Sequence, residues 1–241
     1  MAWIADTFQQ LRPTELDGLA SVTGKPLALH GIPGRIEATG RGVYIGIREP
    51  LDHPEEAQRA GLSRGLGDKR VVVQGLGNVG THAARFPQQA GATVVAIAER
   101  EGAISRRDGL DVDAVAEHRA ARGSLLGFPG AKDLRSTAEA LELDCDILVP
   151  AALEDQITAE NAPRIRARFV AEAANHPVDP AGEAILLERG IYVLPDLYLN
   201  TGGVTVSYFE WLKNLSHVSF DRMTRLNDEG RSQRLLGAME H

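Results

Sequence analysis

Apolar residues along the chain fall into short runs whose periodicity changes from one segment to the next. Val71-Val72-Val73 is an unbroken β-branched run closed by Gln74 and a glycine, and Thr93-Val94-Val95-Ala96-Ile97-Ala98 is a second that ends at Glu99. Unbroken runs of this kind mark strands buried on both faces, as in a parallel sheet. From Arg70 onward the pattern predicts strand, helix and strand, then a helix at 111–122 with Val112, Val115 and Ala116 on one side. It continues with a strand at 146–150, a helical segment at 161–166, a strand at 169–172, a helix at 180–189 closed by Gly190, and a strand at 191–194. Such alternation predicts an α/β fold, a Rossmann-like, doubly wound, mostly parallel sheet with helices on both faces.

The flanks read differently. Residues 1–22 predict a short amphipathic helix, with Trp3, Ile4, Phe8 and Leu11 on one face, followed by a polar connection around Pro13 and Asp17-Gly18. The stretch from Gly24 to Gly42 reads as irregular because glycines punctuate it, and Val43 to Ile47 leads toward a loop through Pro50 and Pro54. Gly202-Gly203 opens an apolar helix over 204–215, and 221–241 is polar and partly helical. Pro87, about two turns into the helix after Gly80, predicts a kink or a short helix there. It deletes an N–H and crowds the carbonyl of Ala83, at about 3 kcal/mol if nothing compensates.

The junction between the two apolar runs carries chemistry. Gln74-Gly75-Leu76-Gly77-Asn78-Val79-Gly80 follows a strand and opens a helix, and Glu99 stands nineteen residues past the last glycine, at the end of the next strand. Gly75 allows the tight turn, Gly77 leaves no side chain between backbone and a pyrophosphate, and Gly80 lets the helix press on the sheet. The helix N-terminus offers unpaired N–H groups and the positive end of its dipole to phosphate. Glu99 can accept both hydroxyls of the adenosine ribose. The ligand is therefore NAD or NADP. Arg100 could pair with the 2′-phosphate of NADP, and Arg106 and Arg107 follow a few residues on; Glu99 would repel that phosphate, which favours NAD. The expected organisation is an N-terminal helix and connection over 1–29, a dinucleotide-binding domain over 30–220 and a helical tail over 221–241.

Bulk properties narrow the alternatives. With 241 residues, 43% of them hydrophobic, the chain can bury a sizeable core. A net charge of −7 and no dense Lys/Arg run argue against nucleic acid. Apolar runs such as 147–153 are too short to span a bilayer, and Met1 to Asp6 resembles no signal peptide, so a cytoplasmic protein with no membrane partner is expected. Cys145 reads as an inert thiol, and the seven histidines show no metal-ligand spacing, so no metal site is expected.

Further segments give the pattern a family. Thr23-Gly24-Lys25-Pro26, Gly34-Arg35, Ala38-Thr39-Gly40-Arg41-Gly42, the fingerprint 74–80, Pro150-Ala151-Ala152-Leu153-Glu154, Ala174-Asn175, Asn200 and Gly202-Gly203-Val204-Thr205-Val206-Ser207-Tyr208-Phe209-Glu210-Trp211 together resemble the glutamate dehydrogenase group of amino-acid dehydrogenases, from Thr23 to about Phe220. The resemblance implies reversible oxidative deamination of L-glutamate to 2-oxoglutarate and ammonia. It implies that Thr39 bonds the nicotinamide carboxamide, that Asn78 and Val79 lie at the pyrophosphate turn, and that Asn175 and Asn200 lie near the ribose and nicotinamide. Arg35 and Ser207 are implied to hold the substrate carboxylate, Ser207 from the first turn of its helix.

The same resemblance implies what this chain lacks. The family's catalytic lysine, its glycine-rich lysine motif and its proton-handling aspartate belong to a domain ahead of the segment matching Met1 to Phe8, and no Gly-Gly-x-Lys-Gly-Gly pattern occurs in the 241 residues. Residues 1–29 then correspond to the interdomain region and 221–241 to a shortened C-terminal helical tail. No catalytic residue is expected in this chain, which is expected to bind cofactor without appreciable turnover unless another chain supplies the substrate domain. The family hexamer is not expected from it alone. The alternatives are a non-catalytic regulatory or nucleotide-binding subunit partnering a full-length dehydrogenase, a relic without ligand, and an amino-acid dehydrogenase of other specificity. Ala173 and His176 stand where the family has glycine, Thr201 where it has alanine, and Pro33 lies within the Gly31 to Gly34 turn.

Overall fold

A computed structural model describes residues 1–217; the helical tail expected over 221–241 lies outside them. The described chain groups into two compact units, Ile36–Gly203 and Met1–Arg35 together with residues 204–217. The first helix, α1 (Ala2–Leu11), belongs to the latter. It forms as expected, but Ala5 is its one buried residue, and Trp3 is 87% and Leu11 74% exposed.

In the unit Ile36–Gly203 the chain runs α2 (Ala38–Asp52), α3 (Pro54–Arg59), β1 (Arg70–Gln74), α4 (Asn78–Gln89), β2 (Thr93–Glu99), β3 (Gly102–Ser105), α5 (Val112–Arg122), β4 (Lys132–Leu134), α6 (Thr137–Leu141), β5 (Ile147–Pro150), β6 (Phe169–Ala171), α7 (Pro180–Glu188), β7 (Tyr192–Leu194) and α8 (Asp196–Leu199). The strands form one sheet in the order β4-β3-β2-β1-β5-β6-β7. β2, β1, β5, β6 and β7 are parallel, while β3 and β4 add an antiparallel edge. The mostly parallel, doubly wound sheet is the one the alternation predicts. Successive strand residues face opposite sides. Val71, Val73, Val149 and Phe169 accordingly join one buried cluster, and Val72, Leu148 and Val170 the other. Each such buried side chain contributes roughly 1.5–3 kcal/mol of transfer free energy.

Several local expectations are corrected. The stretch expected to be irregular through Gly42 and to lead into a loop is helical from Ala38 to Asp52, with Pro50 near its end. Its glycines serve contact rather than turning. A Cβ on Gly40 would lie 2.5 Å from His82 Cβ and 2.8 Å from the Val79 carbonyl, and one on Gly46 would lie 2.3 Å from Leu199 Cδ2. The helical segment at 161–166 shrinks to a 3-10 turn, Ala162–Arg164. β3 and β4 were not anticipated, because four- and three-residue edge strands carry little periodicity. Helix α4 runs on through the buried Pro87 and stops two residues later, at Gln89.

The other unit is organised by a buried polar network. Helix α9 (Thr201–Leu215) contributes Glu210 and Lys213 to it. Lys25 Nζ lies 2.8 Å from Glu210 Oε1, both side chains being fully buried. Glu210 also accepts the Gly24 and Lys25 backbone N–H groups, at 2.8 and 3.2 Å. Lys213 Nζ donates to the His30 and Gly31 carbonyls at 3.0 and 2.9 Å. Burial pushes the Glu210 carboxyl up, but the Lys25 ammonium and the two backbone donors outweigh it and hold it below the ordinary carboxylate range. Burial lowers the Lys213 ammonium.

Two outcomes are expected. Gly40→Ala gains about 1 kcal/mol of helix propensity but forces α2 off α4, at about 1–3 kcal/mol, so urea denaturation should show a net loss. Gly67→Ala, whose Cβ meets nothing within 4 Å, should lose nothing in the same assay. Glu210→Ala leaves the Lys25 charge buried and unpaired and should cost about 3–5 kcal/mol at neutral pH. A depressed folded-state carboxyl stabilises fully above the ordinary carboxylate range and loses that contribution as pH falls through the depressed value. The gap between wild type and Glu210→Ala in urea should therefore narrow in acid.

Candidate functional site

The parallel sheet has one topological switch point. β1 lies between β2 and β5, so the loops leaving the carboxyl ends of β1 and β5 diverge and open a crevice. A cleft of about 580 Å³ occupies that place, lined among others by Gly75, Gly77, Glu99, Arg100, Ala151 and Gln156. Gly75 has φ +97°, and a Cβ on it would lie 2.7 Å from the Ala151 carbonyl oxygen. A Cβ on Gly80 would lie 2.0 Å from the Gly75 oxygen, so helix α4 closes directly on the turn. At Gly77 a Cβ would meet nothing within 4 Å. That bare, exposed backbone is the cradle a pyrophosphate needs, and the first N–H groups of α4, which have no intrahelical acceptor, are its donors. Asn78 opens α4 and donates from Nδ2 to the Ile36 carbonyl at 2.8 Å; Val79 packs half-buried against the core.

Glu99 ends β2 beside this turn. One carboxylate oxygen accepts the Leu76 backbone N–H, and the other lies 3.2 Å from an Arg119 guanidinium nitrogen and accepts the Arg100 N–H at 3.2 Å. The Arg100 side chain is exposed and forms no ion pair among the described residues. Arg106 and Arg107 follow β3 away from Glu99, because β3 runs back antiparallel to β2 and pairs Ser105 with Ala96. Arg107 lines a larger cleft, about 740 Å³, near the amino ends of β1 and β5. That cleft has no glycine turn, and its Arg70–Asp144 and Arg164–Glu142 pairs, each 2.8 Å, neutralise one another. Volume alone therefore does not identify the cofactor cleft. Arg119, Glu101, Thr137 and Gln156 line the smaller one and were not singled out from the sequence. Only the predicted helix at 111–122 could have hinted at Arg119, since its partners lie about twenty residues away.

The residues expected at the nicotinamide end come together through α2. A Cβ on Gly202 would lie 2.4 Å from the Ala38 carbonyl oxygen and 3.0 Å from Gly42 Cα, so the first turns of α2, which carry Thr39, lie against Asn200 to Gly202. Asn200 Nδ2 donates to Asn175 Oδ1 at 2.9 Å and to the Ala174 carbonyl at 3.3 Å, while Asn200 Oδ1 is buried without a partner. An orphaned acceptor there fits a carboxamide N–H₂ group. Nearby, burial pushes the Glu172 carboxyl up, against the Asp196 N–H that it accepts at 2.9 Å. His176 occupies the left-handed region, φ +51°, despite its side chain.

In the unit containing Arg35, its Nε donates to Ser207 Oγ at 2.8 Å. Helix α9 begins at Thr201, three residues before the expected start, which puts Ser207 in its second turn rather than its first. The helix-end contribution to anion binding therefore does not apply to Ser207. Burial and Asp146 push the Cys145 thiol up to about 12, consistent with an inert side chain. Among the described residues, no group of three His, Cys, Asp or Glu side chains could hold a metal ion, and no helix is long and apolar enough to cross a membrane.

Residues 31–229 match the family described as Glutamate/Leucine/Phenylalanine/Valine dehydrogenase. A mitochondrial glutamate dehydrogenase of Dictyostelium discoideum is 50% identical over 240 residues, which is 100% of this chain and 48% of that protein. The NADP-specific glutamate dehydrogenase A1 of Halobacterium salinarum is 42% identical over 95% of this chain and 52% of its own length. Among solved structures, a hetero-hexameric glutamate dehydrogenase from Thermus thermophilus in a leucine-bound form superposes with a TM-score of 0.80 at 36% identity, over 98% of this chain and 54% of that one. The chain spans about half the length of the relatives it matches.

Proposed function

The chain belongs to the Glutamate/Leucine/Phenylalanine/Valine dehydrogenase family, and we propose that it is the dinucleotide-binding part of a glutamate dehydrogenase, acting in the oxidative deamination of L-glutamate to 2-oxoglutarate and ammonia. The observation that carries this is the cleft at the switch point, where Gly75 turns, Gly80 seats the helix and Gly77 leaves the backbone bare. In that cleft the Gly77-Asn78-Val79-Gly80 backbone holds the pyrophosphate and Glu99 takes the adenosine ribose. Thr39, Asn175 and Asn200 hold the nicotinamide end, Asn200 through its free Oδ1. Arg35 and Ser207 grip a substrate carboxylate, where the guanidinium fork suits a planar anion. The bound nicotinamide supplies the hydride acceptor.

None of these groups is suited to deprotonate an amine or relay its proton. Three of the chain's four lysines are committed elsewhere, Lys25 and Lys213 to the buried network and Lys69 to Ser63 at 2.7 Å, and Lys132 stands exposed on the edge strand β4, outside the residues that line the cleft. Binding without appreciable turnover is therefore the activity of this chain by itself, with the lysine and aspartate supplied from outside these 241 residues. NAD is the preferred nucleotide because the Glu99 carboxylate disfavours a 2′-phosphate. A cytoplasmic setting belongs to the same proposal, although the Dictyostelium relative is named mitochondrial. One observation favours a second reading. The Thermus structure is of a hetero-hexameric enzyme, and a chain of this kind could serve as a nucleotide-binding or regulatory subunit beside a full-length dehydrogenase.

Fluorescence titration with NADH and NADPH, with a glutamate turnover assay on the same sample, tests this. Both nucleotides should bind, NADH more tightly, without turnover. Gly80→Ala should weaken both at least about tenfold, since its Cβ has no room against Gly75. Turnover by the chain alone would overturn the assignment of catalysis elsewhere. Activity that rises only on mixing with a full-length dehydrogenase would favour the subunit reading. Binding of neither nucleotide would refute both.

A further inference from the structure

Arg119, on the face of α5 that borders the cofactor cleft, holds three groups at once. Its Nη2 lies 3.2 Å from Glu99 Oε2, its Nε 2.9 Å from Glu101 Oε1, and its Nη1 3.4 Å from the Leu76 carbonyl oxygen. Arg119 thus links both carboxylates at the end of β2 to the turn between Gly75 and Gly77. Its side chain is 32% exposed, and those of Glu99 and Glu101 are 14% and 24% exposed. Burial pushes the Glu101 carboxyl up, but Arg119 and backbone N–H donors more than offset it, so Glu101 is held below the ordinary carboxylate range beside the guanidinium.

We infer that Arg119 is a specificity-determining residue for the nucleotide, resting on the cofactor site proposed above: its exchange between Glu99 and a 2′-phosphate sets the NAD/NADP preference. The two nucleotides make different demands on this cluster. A carboxylate offers about four acceptor positions, and Glu99 uses them for Leu76, Arg100 and Arg119. One position remains, so one hydroxyl of the ribose can be added at Glu99 while Arg119 keeps its place. A 2′-phosphate brings acceptors only, and it meets two carboxylates. It becomes tolerable when the guanidinium turns from Glu99 onto it, where a forked, doubly charge-assisted contact is available. The pair being surrendered keeps access to water on its Arg119 side, so solvent screens it and the exchange is accessible rather than forbidden. Arg100, exposed at the rim, adds a second positive charge without a fixed partner.

NADH and NADPH titrations of four variants separate this from its alternatives. Arg119→Leu should weaken NADPH about tenfold more than NADH, and Arg119→Lys, which keeps the charge but loses the fork, should recover part of the difference. Glu99→Gln should shift the ratio about tenfold toward NADPH by freeing the guanidinium. The double variant Glu99→Gln with Arg119→Leu should lose that gain. Circular dichroism of each variant keeps a folding defect apart from a binding one, and Arg119→Lys carries the test if the leucine variant does not fold. A wild-type chain that binds nucleotide, combined with equal weakening of both in the Arg119 variants, or a Glu99→Gln gain that survives in the double variant, overturns this inference and leaves the cofactor site standing. Failure of the wild type to bind either nucleotide overturns both.

Discussion

Backbone meeting backbone where a Cβ would not fit is the constraint on which the larger unit depends. Helix α2 touches α4 at Gly40 and the segment after α8 at Gly42, and its Gly46 receives the Leu199 side chain. The same device recurs at the sheet, where Gly80 closes on Gly75 and Gly75 on Ala151. These contacts are linked in series. The turn after β1 fixes the start of α4, α4 fixes α2, and α2 fixes Asn200 to Gly202. Glycine in a helix sacrifices about 1 kcal/mol of propensity at each position. Three of them inside α2 therefore make sense only because interiors are close-packed, and one methyl at such a contact displaces an entire helix.

Charge is used in two different ways. Lys25 and Glu210 are fully buried and hydrogen-bonded on every side, so removing either partner strands the other in a medium that cannot solvate it. Such a pair is structural and cannot be exchanged for a ligand contact. Arg119, Glu99 and Glu101 retain access to water, so their mutual attraction is modest and can be traded for a similar one. Burial thus separates the ion pair that holds the fold from the one able to respond to a ligand.

The strands of the parallel sheet were legible because each is a continuous apolar run bounded by turn residues, and β1 and β2 appear at Arg70–Gln74 and Thr93–Glu99 as read. The glycine fingerprint was legible because its spacing is local and Gly80 answers to Gly75 within the turn, although Gly75 itself closes on Ala151, remote in sequence. Helix α2 was not, because glycine's ordinary effect is to interrupt helices, and its compensation here comes from His82, Leu199 and Gly202, all remote in sequence. Arg119 was invisible on similar grounds, since its role depends on α5 lying across the end of β2. Arg106 and Arg107 misled because proximity in sequence to Glu99 was cancelled by an antiparallel reversal. The apolar face of α1 was readable as a helix but not as an exposed one, because periodicity reports a face and not what covers it.

Two of the five left-handed non-glycine residues among those described stand beyond the carboxyl ends of strands. Asp155 follows β5 with φ +52° and His176 follows β6 with φ +51°, both side-chain-bearing residues in the left-handed region, at roughly 1–2 kcal/mol each. They hold one another: Asp155 N donates to the His176 carbonyl at 2.9 Å, and His176 Nδ1 lies 3.1 Å from Asp155 Oδ1. His176 N donates further to Asp196 Oδ2 at 2.7 Å, and Asp196 N donates to the buried Glu172. The chain of contacts ends one turn before Asn200, whose Oδ1 is left without a partner. Strain and an unmet acceptor within one loop cluster are both unfavourable for folding alone. Gln74 Oε1, at the carboxyl end of β1, is likewise buried without a partner, so unmet acceptors and left-handed residues meet on the side of the sheet where the cleft opens, as a loop set shaped for a ligand requires.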